Sequence, residues 1–168
     1  FASASSSKDV DFKTCVLGVA QSALTPDVYI DSEVDALEKV VFNLLSNALK
    51  FTPEGGAIEL GLRVDGGRAR LYVRDTGPGI SKEGQAKLFE VFSQVDETTT
   101  RNYEGSGLGL ALVKSLVEEM GGAVGVESSV GAGSTFWAEF PVRQPPELED
   151  ELDFEAKEWL LADGSGET

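Results

Sequence analysis

The sequence predicts an α/β sandwich, in which a mixed and mainly antiparallel sheet carries helices on one face. Two apolar stripes with helical spacing occur, one over residues 37–49 and one over residues 108–119. Runs of alternating polarity, joined by short glycine-rich turns, account for most of the remaining chain. Such turns join neighbouring antiparallel strands, so the strands form a sheet whose apolar side the two helices can cover.

The first 50 residues predict two helices and a short strand. The segment "DFKTCVLGVAQSAL" predicts a helix that ends at Thr25-Pro26, and "VYI" predicts the strand. Ser32-x-x-Asp35 resembles a capping box at the start of the second helix. That helix stops before Pro53-Glu54-Gly55-Gly56. Its apolar stripe consists of Leu37, Val40, Val41, Leu44, Leu45, Ala48 and Leu49.

The middle and the end of the chain predict four more strands and two helices. "AIELGLRV" and "ARLYVRD" flank Asp65-Gly66-Gly67-Arg68 as a hairpin, and "AVGVES" and "STFWAEFPV" flank Gly131-Ala132-Gly133. "KEGQAKLFEVF" predicts a short helix, and residues 93–107 a long polar loop. The last helix, over 108–119, is followed by a glycine pair that ends it.

Composition excludes several classes of function. The net charge of −15 disfavours nucleic acid as a partner, and no apolar run is long enough to span a membrane. Histidine is absent from the chain, which excludes a Ser-His-Asp triad, a histidine general base and histidine-built zinc sites. Cys15 is the single cysteine, so the chain has no internal disulfide, and we expect a reducing, cytoplasmic location.

We expect three segments along the chain. Residues 1–8 are expected to be disordered, residues 9–143 to form the domain, and residues 144–168 to be an acidic tail or linker. The tail holds nine acidic residues and one lysine, a net charge of −8, and "FEAKEWLLA" within it could form a short amphipathic helix that docks elsewhere. Because the chain begins at Phe1, we interpret it as a fragment or a processed product.

Three alternating glycines, Gly105, Gly107 and Gly109, precede the last helix. A helix start with a bare backbone can bind an anion, because its N–H groups and its dipole face the ligand. The stretch lacks the third glycine of a dinucleotide fingerprint, where Leu110 stands, and it lacks the Gly-Lys-Ser/Thr of a P-loop. A flexible connector is the alternative interpretation of this loop.

Polar side chains that could bind a metal–phosphate group lie beside the first apolar stripe. Asn43, Asn47 and Lys50 are spaced i, i+4 and i+7. Amide oxygens can ligate a hard cation, and a lysine can meet an anion. Asparagine is a poor helix former, so the pattern favours a functional role over a chance polar face.

Other candidates are weaker when taken alone. Asp75 ends a strand before Thr76-Gly77-Pro78-Gly79, where its carboxylate could accept a hydrogen bond from an exocyclic amine and the glycines could admit a flat ring. The common alternative is a strand-end aspartate that starts a turn. Arg101 in the polar loop could reach a phosphate or could be an ordinary solvated arginine.

Five segments occur in an order typical of one family. They are "NLLSNALKFTPEGG", "DTGPGI", "LFEVFSQVD", "GSGLGLALV" and "GAGSTF". Over about residues 31–142 the chain resembles the catalytic and ATP-binding domain of sensor histidine kinases, in the superfamily of gyrase, Hsp90, histidine kinase and MutL. The resemblance implies a Bergerat-type ATP-binding fold, ATP and Mg²⁺ as ligands, and a mobile lid over about residues 81–106.

The resemblance also implies residue roles. Asn47 with Asn43 would serve Mg²⁺ and the phosphates, Lys50 would contact phosphate, and Arg101 would be a basic lid residue. Asp75 would accept the adenine amino hydrogen bond, and Phe51 would lie against the base. Thr135 would sit at the pocket floor. The remaining residues implied to shape the nucleotide site are Gly77, Gly79, Ile80, Gly105, Gly107, Leu108, Gly109 and Leu110.

One position distinguishes branches of this superfamily. Its ATP hydrolases and related serine kinases place a glutamate base four residues before the metal asparagine, where this chain has Asn43. An amide cannot take up a proton at neutral pH, whereas an acceptor imidazole is already nucleophilic. The resemblance therefore implies transfer of the γ-phosphate to a histidine in two-component signalling, rather than ATP hydrolysis.

Two departures from the family pattern bear on partners. Lys39 stands where the family often has glutamine, and the phosphoacceptor histidine is absent. The acceptor must therefore lie on a dimerisation domain, upstream in the full protein or on a partner, and a response regulator would be reached indirectly. Leu88, Phe89 and Phe92 are candidates for docking that domain or, alternatively, ordinary core residues.

A binding module remains the alternative function. An ATP-sensing or degenerate kinase domain in a signalling scaffold would bind nucleotide without transferring phosphate. The five intact segments disfavour it, because a decayed site would be expected to lose Asn47, Asp75 or the glycines.

Overall fold

The computed structural model describes residues 8–17, 28–90 and 109–143, which form six strands and three helices. The strands are β1 (Asp11–Leu17), β2 (Tyr29–Ile30), β3 (Ala57–Asp65), β4 (Arg68–Asp75), β5 (Ala123–Ser128) and β6 (Ser134–Arg143). The helices are α1 (Val34–Phe51), α2 (Lys82–Gln85) and α3 (Gly109–Glu119). No helix in these three stretches is both long enough and apolar enough to cross a membrane.

The six strands form one mixed sheet. Its order is β1-β3-β4-β6, with β5 beside the first part of β6 and β2 beside its last two residues. All pairs are antiparallel except β1 with β3, which is parallel. Helix α1 contacts β3 and β4, and α3 contacts β5 and β6 and packs against α1. The predicted mixed, mainly antiparallel sheet with helices on one face is therefore confirmed.

The prediction of a helix near the start of the chain was wrong. Residues Asp11–Leu17 form β1, in parallel register with Ala57–Arg63 of β3. Phe12 is half-buried against the core, whereas Lys13 and Thr14 are exposed. A short apolar run cannot be assigned by periodicity alone, and the β-branched Thr14 and Val16 favour a strand. The predicted end at Thr25-Pro26 lies outside the described residues.

Helix α1 forms where the apolar stripe predicts it and ends at Phe51, before Pro53 as predicted, but its start differs from the prediction. Its N-cap is Glu33, whose side chain makes no capping bond, and the Ser32 hydroxyl donates instead to the Glu33 carbonyl. The predicted capping box is therefore wrong. At the other end Lys8 donates to the Leu49 carbonyl at 2.6 Å, so a cation meets the negative end of the helix dipole.

The β3–β4 hairpin was predicted correctly, and its turn explains the glycine pair. Asp65 pairs with Arg68, so the loop has two residues, Gly66 and Gly67, with φ of 57° and 77°. Positive φ at both positions is the requirement of the type I′ turn, which follows the strand twist and is easy only for glycine, asparagine or aspartate. This long hairpin forms the middle of the sheet.

The predicted helix over residues 82–92 is shorter in the structure. Helix α2 spans Lys82–Gln85 and is followed by turns to residue 90. Ser81 is its N-cap, and the hydroxyl accepts a hydrogen bond from the Gly84 N–H at 3.2 Å. Leu88 is buried in the core and Phe89 packs against it, which favours the core-packing interpretation of these two residues over docking. Phe92 lies outside the described residues.

The core lies between the helices and the inner face of the sheet. Its buried members are Val10, Val40, Leu44, Leu45, Ala48, Ile58, Val73, Leu88, Val113, Val117, Phe136, Ala138 and Phe140. Alternate residues of the same strands point to the opposite side, which we call the outer face. On the outer face the Tyr72 ring lies over Gly61 and the Trp137 ring over Gly125, where any Cβ atom would overlap the ring.

Candidate functional site

The carboxyl group of Asp75 is the buried acid of the candidate site. Asp75 ends β4 and is 4% exposed. Burial raises the pKa of its carboxyl above the usual 3.8, and backbone N–H groups of Gly77 and Ser134 counteract that rise. Asp75 Oδ1 accepts from the Gly77 N–H at 2.8 Å. The site therefore holds an acceptor that is fixed in place and shielded from water.

The turn after Asp75 fits only because it contains glycines. A Cβ at Gly77 would lie 2.8 Å from Asp75 Oδ1 and 3.1 Å from the Phe51 carbonyl oxygen. Gly79 has φ of 74°, and a side chain there would collide with the Ser129 carbonyl. The turn is thus held between the end of α1 and the β5–β6 loop.

The structure corrects the prediction for Thr135. Because Thr135 is in register with Arg74, it lies on the outer face of the sheet, away from the Asp75 side chain. Its neighbour Ser134 is in register with Asp75 and is buried. Ser134, not Thr135, therefore occupies the floor beside the acid, and the period of two along β6 could have indicated this from the sequence.

A hydrogen-bond network behind the turn involves two residues that the sequence did not single out. The Ile80 N–H donates to Ser128 Oγ at 2.8 Å, and Ser128 Oγ lies 2.8 Å from Ser134 Oγ. Gln85 Nε2 donates to the carbonyls of Ile80 and Ser128, at 2.8 and 2.9 Å. Ser128 and Gln85 therefore join the turn, the end of β5 and helix α2. No local pattern signals the contacts of Ser128 with Ile80 and with Gln85, because each joins residues more than 40 positions apart.

The Asn43 amide group faces the start of α3. Its Nδ2 donates to the Lys39 carbonyl at 2.7 Å, which fixes the orientation of the amide. A Cβ at Gly109 would lie 3.0 Å from Asn43 Oδ1, so the amide oxygen approaches the first residue of α3. Asn43 and Gly109, both assigned to the nucleotide site from the sequence, therefore lie next to each other, with an amide oxygen at the N-terminus of a helix.

The other predicted residues of α1 lie along the same helix. Asn47 is half-buried one turn after Asn43, and Lys50 is half-buried near the C-terminus. The Lys50 ammonium lies 5.7 Å from the centre of the Phe51 ring. Phe51 is 39% exposed, so much of its ring remains accessible.

Helix α1 connects the two ends of the candidate site. Phe51 lies against Gly77 at one end, and Asn43 lies against Gly109 at the other. Eight residues of helix separate them, a rise of about 12 Å. This separation suits an elongated ligand with a flat ring at one end and an anionic group at the other.

Two further predicted residues pack inward. The side chains of Ile80 and Leu110 contact the core cluster and are half-buried. They therefore support the walls of the site from behind, and Ile80 also contributes its backbone N–H to the Ser128 network.

Several predicted positions cannot be located. Arg101, Gly105, Gly107 and Leu108 lie outside the described residues, as does the predicted lid after residue 90. Their roles remain predictions from the sequence.

Comparison with known proteins assigns the family. Residues 32–144 match the model of the histidine kinase-, DNA gyrase B- and HSP90-like ATPase family. Among curated proteins, the chain is 45% identical over 122 residues to the circadian input-output histidine kinase CikA of Synechococcus elongatus, an alignment that covers 68% of this chain and 16% of that kinase. The chain spans between 12% and 21% of the length of the curated relatives that it matches.

Solved structures agree with this assignment. The mycobacterial sensor histidine kinase MprB is 29% identical, with a TM-score of 0.67 over 86% of this chain and 90% of that structure. Full-length ShkA, solved in complex with AMPPNP, is 36% identical, with a TM-score of 0.70 over 85% of this chain and 28% of that one. These matches, together with the order of the motifs and the geometry around Asp75 and Asn43, show that the chain belongs to the histidine kinase-, DNA gyrase B- and HSP90-like ATPase family, as a catalytic domain of the histidine kinase type.

Proposed function

We propose that this domain binds Mg-ATP and donates the γ-phosphate to a histidine on a separate dimerisation domain in two-component signalling. The proposal rests on what α1 brings together. A buried acid with its glycine turn lies at one end of the helix, and an amide oxygen lies at a helix start at the other end. Family membership supports it, and the relative ShkA was solved with an ATP analogue.

The adenine would lie at the Asp75 end of the site. Asp75 would accept a hydrogen bond from the amino group of the base, since its carboxylate has a second oxygen beyond the one bound to Gly77. Phe51, at the end of α1, presents ring surface against which a base could stack. Gly77 and Gly79, which pack closely against Asp75, Phe51 and Ser129, would fix the shape of the pocket edge that receives the ring.

The triphosphate would lie toward the start of α3. The first N–H groups of a helix have no partner within it, so they and the helix dipole favour an anion there. Lys50, which lies near the Phe51 end of α1, would add a positive charge to the site. We propose that Gly105, Gly107, Leu108 and Arg101 complete this end of the site.

The residues present fit a magnesium ion that is held mainly by phosphate and water. No cluster of three or more acidic, cysteine or histidine side chains that could hold a metal occurs in the three described stretches. Mg²⁺ commonly binds through one or two protein ligands together with substrate phosphates and water. Asn47 and Asn43 would supply amide oxygens, and the orientation of Asn43 leaves Oδ1 available for this role. When bound, the ion would neutralise negative charge on the phosphates.

The chain's own contribution to transfer would be positioning and charge. The acceptor imidazole nitrogen forms a bond to the γ-phosphorus, the bond from that phosphorus to the β,γ-bridging oxygen breaks, and ADP leaves with the electron pair. Asn43 cannot serve as a general base, which suits an acceptor that needs little activation and disfavours attack by water. The domain would align ATP for this in-line reaction.

The acceptor domain, the response regulator and the cytoplasmic location are parts of the same proposal. The acceptor histidine must come from outside these 168 residues, because the chain contains none. We propose that residues 9–143 form the functional unit.

The test is transfer of labelled phosphate. The chain is incubated with γ-labelled Mg-ATP, with and without a separately supplied dimerisation domain that bears a histidine. Label on the added histidine is the expected result. Asn47→Asp should reduce the transfer rate by at least about tenfold, because a carboxylate would repel the phosphates and misplace the metal.

Ser115→Asp is the matched control, because it adds the same charge at an exposed position of α3. It should transfer at the wild-type rate. Binding of ATP without any transfer would instead support the binding-module alternative, and steady release of phosphate by the chain alone would indicate a hydrolase.

A further inference from the structure

The last turn of α1 leaves carbonyl groups that need hydrogen-bond partners, because the last carbonyls of a helix have no donor within it. Many helices end in a left-handed glycine whose N–H turns back onto these carbonyls. Helix α1 ends differently, because Thr52 is extended, with φ of −73° and ψ of 125°, and Pro53 after it has no N–H. The Thr52 N–H donates to the Ala48 carbonyl at 2.9 Å, so it does not serve the carbonyls of Leu49 and Lys50.

Lys8 supplies the missing donor from a distant part of the chain. Its ammonium donates to the Leu49 carbonyl at 2.6 Å and lies 3.4 Å from the Lys50 carbonyl. An ammonium carries three N–H donors, so one side chain can serve both carbonyls. Its positive charge also faces the negative end of the helix dipole. A lysine therefore takes the place of the usual glycine closure at this end of α1.

The backbone next to Lys8 is held against the loop that follows α1. The Asp9 carbonyl accepts from the Gly55 N–H, and the Asp11 N–H donates to the Gly56 carbonyl, both at 2.9 Å. The residue between the two aspartates is buried in the core. Asp9 has φ of 50°, which is uncommon for a residue other than glycine and persists where surrounding contacts fix the backbone. The position of Lys8 at the helix end is therefore fixed by its own neighbours.

The helix end that Lys8 closes also forms part of the base end of the candidate site. Phe51 is the last residue of α1 and directly follows the two carbonyls that Lys8 contacts. The Phe51 carbonyl packs against Gly77, where a Cβ would lie 3.1 Å from the oxygen. A helix end that lacks hydrogen-bond partners frays. If this turn opened, Phe51 would move relative to Gly77 and to the Asp75 carboxyl.

We propose that Lys8 is a positioning residue of the nucleotide site. By closing the C-terminus of α1, it holds Phe51 in place beside the Gly77 turn. The affinity for ATP therefore depends on a side chain more than 40 residues away in the sequence. This inference rests on the proposed function, because it takes Phe51 as the surface against which the adenine stacks.

The test is a double-mutant cycle on Lys8 and Phe51 in the full chain. Calorimetry measures the affinity for a non-hydrolysable ATP analogue with Mg²⁺, at a temperature where thermal unfolding shows each variant to be folded. Lys8→Met keeps an unbranched side chain of similar length and removes the ammonium. It should lower the affinity by about threefold to tenfold, since a charged hydrogen bond at the helix end is lost. In the Phe51→Ala background the same change should lower it by less than about twofold, because the ring that Lys8 positions is absent.

Hydrogen exchange measures the same contact without nucleotide. In Lys8→Met the Thr52 amide, which bonds to the Ala48 carbonyl, should exchange at least about fivefold faster than in the wild type. The Val73 amide in the core should be unchanged. Lys8→Arg should restore both the affinity and the protection of Thr52, because a guanidinium also carries several donors and a positive charge.

Lys13→Met is the matched control, because Lys13 is an exposed lysine of β1 whose ammonium pairs with Asp11 at 3.3 Å. It should behave as the wild type. Unchanged affinity or unchanged Thr52 exchange in Lys8→Met, in a chain that binds the analogue, would overturn this inference alone. An equal loss of affinity with and without the Phe51 ring would do so as well, since Lys8 would then not act through Phe51. A wild-type chain that binds no analogue would overturn the proposed function and this inference with it.

Discussion

The Asp75 carboxylate is proposed to bind the nucleotide base, but the same buried charge lowers the stability of the folded protein. Its carboxyl is 4% exposed, and burial raises its pKa. Below the usual pKa of 3.8 the group is protonated in both the folded and the unfolded chain. Above the raised pKa the folded protein must hold a buried carboxylate that the unfolded chain keeps in water. Asp75 therefore lowers stability as the pH rises through this interval.

Asp75→Asn should separate the two effects. The amide keeps the shape and the oxygen that accepts from Gly77, and it removes the cost of burying a charge. Without nucleotide, its free energy of unfolding at pH 7 should match or exceed the wild-type value within about 1 kcal/mol. Its affinity for ATP should fall by at least about tenfold, because the second acceptor oxygen has become a donor. Urea unfolding and calorimetry measure the two quantities.

The pH dependence gives an internal check on this prediction. The difference in unfolding free energy between variant and wild type should grow from pH 4 to pH 7, in favour of the variant. Asp65→Asn, at an exposed position next to the hairpin turn, should show no such growth. A variant that loses stability at pH 7 while its ATP affinity is unchanged would contradict the role assigned to Asp75.

Residue-scale prediction succeeded where a constraint is local. Gly77 and Gly79, two and four residues after Asp75, were singled out from the sequence, and the structure requires glycine there because the turn packs closely against Asp75, Phe51 and Ser129. Thr135 was assigned to the pocket by motif position, whereas register places Ser134 there. Motif position alone does not decide between two adjacent residues, whereas the alternation of faces along β6 does.

At the scale of elements, Gln85 links α2 to the base end of the site. A single side-chain nitrogen donates to the carbonyls of Ile80 and Ser128. Helix α2 has only four residues, so it cannot be stable by itself and depends on such contacts. The turn that carries Gly79 is therefore fixed by an element at the start of the predicted lid.

Gln85→Glu should loosen this turn without unfolding the domain. A carboxylate cannot donate and would face two carbonyl oxygens, at a cost of about 1–3 kcal/mol to the local structure. We expect faster hydrogen exchange at the Ile80 amide, whose N–H bonds to Ser128 Oγ, and unchanged exchange at Val73 in the core. ATP affinity should fall severalfold.

Glu83→Gln is the control for this variant, because it changes an exposed charge on the same helix. Its exchange rates and affinity should equal those of the wild type. If the Ile80 amide also stays protected from hydrogen exchange in Gln85→Glu, the contacts between α2 and the turn do not stabilise the turn.

Elements with strong local signals were predicted, and one that depends on a distant partner was not. Helix α1 follows from its apolar stripe, and the β3–β4 hairpin follows from two glycines that only a tight turn requires. Strand β1 was predicted as a helix. Its partner β3 is parallel and more than 40 residues away, so no turn in the sequence signals the pairing.

At the scale of the molecule, α1 is the element shared by both ends of the site. Its buried side holds the core through Leu44 and Ala48, and its remaining surface presents Asn43, Asn47 and Phe51. The sheet and α3 then supply Asp75 and Gly109 at opposite ends of the helix. The sequence predicted that these residues belong to one site. The distance between the two ends of the site follows only from the tertiary packing of α1.

The most direct test of the central claim is to map a non-hydrolysable ATP analogue with Mg²⁺ by amide chemical shifts. The claim is that one ligand occupies both ends of α1. We predict simultaneous, saturable shifts at Gly77 and Gly79 and at Asn43 and Gly109, all with one dissociation constant. Shifts at only one of these ends, two different dissociation constants, or a response confined to the outer face would contradict it.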